Sequence, residues 1–270
     1  MKYWINIAGL TLLEVVQGRV FQILLGTTLL APLFGAVLSS LFMMDIGKVY
    51  MDGVMAFVHF TSMVFVLFIA AALLARDIEQ KVCYLLVVQP ASRESYLIGR
   101  FFGFVLAYIL MIGLLVIESV LIGELIFSGK PDVYLAGYSW LNMFLLIFLH
   151  AFQYIALLGL IFFIASWATG LAEIIFFSTM GLVLSWVFPQ LLLVMGQGHG
   201  AEGSPVLLYQ MFELIYQLLP HLNGANIALL LTHGDEGLTV ADTSIYMIEH
   251  VGYAGVLMGL AMWLFKKRDL

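Results

Sequence analysis

The chain has 270 residues, of which 63% are hydrophobic and only 10% charged, with a mean hydropathy of +1.06 and a formal net charge of −6. A soluble domain covers its surface with roughly 25% charged residues, so composition excludes one and indicates a single integral membrane bundle. The lone cysteine, Cys83, excludes an internal disulfide and a cysteine-based metal cluster.

A hydrocarbon core of about 30 Å takes about 20 apolar residues in a helix, and helical periodicity begins before the first such stretch. Ile5–Gly18 reads as a helix with Asn6, Glu14 and Gln17 on one arc, but Leu10 and Leu13 share that arc. It either lies along the cytoplasmic interface or extends the first span. Six stretches then qualify as membrane spans: residues 20–43, 54–75, 101–127, 140–167, 174–195 and 245–265. Between the fifth and sixth lies a long polar connection. Its apolar segment Val206–Leu219, bracketed by Pro205 and Pro220, is too short to span. It is expected as a re-entrant or interfacial segment, with a plain surface helix as the alternative. The expected fold is therefore all-α, with six transmembrane helices, an N-terminal interfacial helix and this additional segment.

Basic residues orient the bundle. With both termini inside, the cytoplasmic side carries Lys2, Arg19, Arg76, Lys81, Arg93, Arg100, Lys266, Lys267 and Arg268, and the outside carries only Lys48 and Lys130. The expected location is the plasma (inner) membrane, multi-pass, with cytoplasmic termini.

Four of these basic residues crowd into residues 76–100. Ile78, Val82, Leu85 and Leu86 recur at helical spacing, and Pro90 then interrupts the helix because it lacks an N–H and disfavours helical geometry at Gln89. Ser92 is placed to cap the next helix. The pattern is a rigid elbow fit for a soluble partner, or else an ordinary positive loop that only sets topology.

The stretch from Arg76 to Gly103 resembles the signature of ABC-2 type transporter permeases: an acidic residue, a Leu-rich run, Pro-x-Ser-Arg, and an aliphatic run ending in Gly-Arg. Glu79, Pro90, Ser92, Arg93, Gly99 and Arg100 occupy those positions. Thr11-Leu-Leu-Glu14 with Arg19, and the ending Phe265-Lys-Lys-Arg-Asp-Leu270, are supporting matches. Many members have Gly-Thr where this chain has Lys81-Val82. Lys81-Val-Cys-Tyr84, with Asp52-Gly53, resembles the branch labelled as permeases for multi-copper enzyme maturation. The resemblance implies that Glu79, Lys81, Pro90, Ser92, Arg93, Gly99 and Arg100 form a coupling region seated on an ATPase subunit. The chain has no Gly-x-x-x-x-Gly-Lys-Ser/Thr phosphate loop, so ATP and Mg2+ would be bound by that separate partner, with no cofactor in this chain. A second permease subunit, either a copy or a related chain, is also implied. Membrane lipid is a further expected partner and nucleic acid is not.

Polar residues inside the spans are costly, so each needs its own account. Glu118 is expected near the outer end of the third span, solvated or paired. His150 lies about 15 Å into the fourth, with Gln153 one turn on. With Glu118 they are candidates for a translocation path, or for hydrogen bonds between helices. His59, His150 and His250 support an alternative function, a haem- or quinone-binding electron-transfer protein. Gly99 and Gly103, and again Gly255 and Gly259, have the spacing that lets helices approach closely.

Overall fold

The computed structural model describes residues 3–42, 45–80, 92–130, 139–197, 206–217, 219 and 240–267. Among them the chain is helical with no strand, and six helices are long and apolar enough to cross a membrane.

The N-terminal helix α1 (Tyr3–Gln17) ends at Gly18, whose extended backbone (ψ 130°) breaks it from α2 (Arg19–Thr28). Helix α3 (Leu30–Ser40) completes the first span. The break at Leu29 has a local cause: Pro32 has no N–H to donate to the Thr28 carbonyl one turn back. The second span joins α4 (Ile46–Val64) and α5 (Ala71–Glu79) through a π-helical turn, Phe65–Ala70. The third is α6 (Arg93–Phe127), the fourth α7 (Trp140–Trp167) and the fifth α8 (Leu171–Gln197). The short α9 (Val206–Gln217) precedes α10 (Val240–Lys267), the sixth.

The fourth span starts and ends at the expected residues, while the second and third run well past theirs. The second reaches from Ile46 to Glu79 and the third begins at Arg93. Apolarity marks where lipid begins, but a helix continues wherever caps and charge partners satisfy its polar ends. Ser92 supplies the expected cap, its Oγ accepting the Ser95 N–H at 3.2 Å.

α7 is the centre of the bundle and is buried along most of its length. Its closest neighbour is α10, where Gly159 faces Ala254: a Cβ on Gly159 would stand 3.0 Å from the Ala254 Cα. Gly255 and Gly259, expected to serve a close contact, instead have open space around their Cβ positions. The close approach of the sixth span falls one helical face away from the glycine spacing.

The second and third spans are joined by tyrosines. The Tyr50 hydroxyl donates to the Ser119 carbonyl at 2.6 Å, and Ser62 shares a 2.8 Å hydrogen bond with Tyr108. Such bonds inside a bilayer contribute about 0.6 kcal/mol each, up to about 1.7. Within the expected segment 206–219, Val206–Gln217 is helical as α9, and Phe212 packs against Phe188 of α8 at 5.5 Å. Burial and the nearby Glu249 carboxylate of α10 push the Tyr216 phenol of α9 up.

Candidate functional site

A charge inside an apolar helix needs a counter-charge. α1 has one such charge, Glu14, in the run Leu10-Thr-Leu-Leu-Glu-Val-Val16. Its carboxylate pairs with Arg76 at the end of α5 and with Arg100 near the start of α6. Arg100 Nη1 donates to Glu14 Oε2 at 2.5 Å and to Thr11 Oγ1 at 3.3 Å. Its other nitrogen, Nη2, contacts Asp77 Oδ2 at 2.5 Å, and the Tyr96 hydroxyl donates to the same oxygen at 2.6 Å. Two cations and two anions therefore neutralise one another where three helices meet. Burial alone would raise the Glu14 pKa, but hydrogen bonding and charge from Arg100, then Arg76, outweigh it and hold the carboxyl below its ordinary value.

Glycines make this approach possible. A Cβ on Gly99 would stand 2.7 Å from the Ile7 Cβ and 2.8 Å from the Trp4 carbonyl oxygen. One on Gly103 would press on Thr11 and stand 2.8 Å from the Ala8 carbonyl oxygen. The pairs ascend together, so α1 runs beside the start of α6 in the same direction. Here the expected Gly-x-x-x-Gly contact forms, and its partner is the N-terminal helix.

Expectation and structure differ most over Arg100. Expected as part of a surface that meets a soluble partner, it is only 8% exposed and its guanidinium is turned inward onto Glu14 and Asp77. The physical reason is its place within the buried face of α6, among Tyr96, Leu97, Phe101 and Phe104. Glu79 is exposed, and its Oε1 accepts the Leu171 N–H at 2.8 Å, capping α8 from the end of the second span. Ser92 caps α6, Arg93 opens it, and Gly99 seats α1. Lys81 and Pro90, with the stripe Val82, Leu85 and Leu86, lie outside the described residues.

Sequence reasoning passed over Asp77 and Tyr96. The available signal was Arg76-Asp77 directly after Ala70-Ala-Ala-Leu-Leu-Ala75, an acid too close to the apolar run to be left unpaired. Lys266, assigned only to orientation, pairs with Glu94 and so links α10 to α6. Both groups are largely exposed, and pairs of that kind contribute little.

A second polar group lies deeper. The His59 and His150 rings meet edge to face with centroids 3.8 Å apart, and the Tyr154 hydroxyl donates to the His59 carbonyl at 3.2 Å. Gln153 is fully buried beside them. Glu118 does not join this group but faces Thr28 of the first span. His250 lies on α10, its Nδ1 donating to the Tyr246 carbonyl at 2.8 Å. With the His59 and His150 rings in contact, no porphyrin plane fits between them. Among the described residues no three His, Cys, Asp or Glu side chains gather as metal ligands.

No family model matches the chain, and no curated protein matches it significantly.

Proposed function

We propose that the chain is the membrane-spanning subunit of an ATP-driven exporter of the ABC-2 type, with its basic end in the cytoplasm of a plasma (inner) membrane. The observation that carries this reading is the clasp formed by Glu14, Arg76, Asp77 and Arg100. It binds both helix ends that flank residues 81–91 to one another and to α1. A push on that segment would move three helices together instead of being absorbed at a loose joint. The Glu79 cap on Leu171 extends the connection to α8. Burying ion pairs is an inefficient way to gain stability compared with apolar packing, which favours a positional role for the clasp.

In this reading a separate ATPase holds ATP and Mg2+, Arg93 and the adjoining elbow receive it, and a second permease subunit completes the transporter. The test is co-expression of the chain with a candidate ATPase. Arg93→Asp should reduce co-purification of the ATPase and transport while the chain stays in the membrane. Unchanged recruitment and transport in that variant would count heavily against the proposal.

A further inference from the structure

Where α7 packs against α10 on one side and α4 on another, buried polar atoms have no hydrogen-bond partner: His150 Nε2, both amide atoms of Gln153, and the Tyr246 hydroxyl. His150 is 3% exposed and Gln153 0%. Gln153 lies beside both the His150 ring and the Tyr246 hydroxyl without an aligned bond to either. In a bilayer no bulk water compensates such groups, so a guest that hydrogen-bonds to them would recover a real cost. The group reaches the surface of the bundle through the half-buried His59, whose ring lies 6.4 Å from that of Trp186 on α8.

Trp186 is 56% exposed and also begins an apolar groove of about 560 Å3, lined further by Val187, Gln190, Leu191, Val194 and Met195. Trp186 thus stands between a groove that can hold an apolar chain and a buried group of donors and acceptors that the helices leave unaligned. Among the described residues no lysine or arginine contacts the His59–His150–Gln153 group, and the carboxylate that bears on its Tyr246 member is Glu249, so an anionic guest would meet no counter-ion and a like charge. The groove lies toward the same bundle end as Trp140, on the outer side of the polar group. A phospholipid would place its head there, the reverse of what these surfaces offer.

We infer that this is a lateral, lipid-accessible binding site for a neutral, mainly apolar molecule with a carbonyl or hydroxyl group. The polar group would point inward to His150 and Gln153, and the chain would lie against Trp186, Leu191 and Val194. Binding here does not require that the molecule be transported, so the inference stands apart from the ATPase proposal.

The test uses the full chain in phosphatidylcholine nanodiscs with hexadecanol carrying a diazirine on its chain, and maps the label by mass spectrometry. Label should concentrate on residues 186–195 and be displaced by excess hexadecanol. His150→Leu with Gln153→Leu should lower that label about tenfold, leaving Ile117 and Leu121 on the lipid-facing side of α6 labelled as before. Trp186→Ala, at an exposed position away from the core, should also lower it and guards against a fold defect in the double variant. Equal label on α6 and α8, or label indifferent to both variants, would overturn the inference. Competition by a short-chain quinone would assign the polar group to a quinone carbonyl. Competition by hexadecanol alone would assign it to an alcohol.

Discussion

Arg100 and Asp77 meet at 2.5 Å in a place that solvent scarcely reaches, the arginine 8% and the aspartate 2% exposed. Far apart in sequence, they close the base of the second and third spans on each other. Tyr96 holds the aspartate from one side, and Glu14 holds the arginine from the other. Removing one member leaves the cluster with one charge in excess at a buried site, up to about 3–5 kcal/mol where that charge has no other partner, whereas removing both leaves Glu14 paired with Arg76. Asp77→Leu and Arg100→Leu should each lower the melting temperature in detergent strongly, and the double variant should lie closer to the native protein. Single variants that melt like the native chain would show that the pair does not secure the base.

Acid should loosen the same clasp. The Glu14 pKa is held below the ordinary value of 4.5, so its contribution is complete above that value and falls as pH drops through the lower folded pKa. A melting profile across that acidic range should show the loss, and Glu14→Gln should remove this component. Identical acid profiles for the native protein and the Glu14→Gln variant would assign the effect to other carboxylates.

The seat of α1 gives a steric prediction. Gly99→Ala and Gly103→Ala bring a methyl against Ile7, Ala8 or Thr11 backbone and side-chain atoms, and overpacking of this kind costs about 1–3 kcal/mol. Gly255→Ala and Gly259→Ala meet nothing within 4 Å and should be neutral. Thermal stability of the four purified variants checks the contrast; equal losses at all four positions would contradict the packing.

Glu79→Ala removes the acceptor for the Leu171 N–H. A lost cap costs about 1 kcal/mol. Faster amide exchange at the start of α8, with little change at α6, is the expected sign. Unchanged exchange at Leu171 would mean that another group takes over as acceptor.

Orientation can be read from the native chain because Cys83 is the only cysteine. With the basic end in the cytoplasm, a membrane-impermeant maleimide should label it in opened membranes and spare it in intact cells. Labelling in intact cells would invert the proposed topology.

The all-helical class and the six spans followed from composition and run length, because lipid imposes the same demand on every residue of a span. The Ser92 cap and the Gly99–Gly103 spacing were also readable, since both act within one or two turns of a helix. The fate of individual charges was not. Glu14, Arg76, Asp77 and Arg100 look alike in sequence to residues that merely orient a loop. Whether a charge faces water or a counter-ion depends on which helix lies opposite, and that choice is made by packing across 62 to 86 positions of chain. For the same reason His59 and His150 became neighbours, while Glu118 was left facing Thr28. Sequence by itself determined that the chain is a helical membrane bundle with one strongly basic end. Tertiary structure alone decided that the most telling of those basic residues, Arg100, turns inward, because burial selects the partner that a linear pattern cannot name.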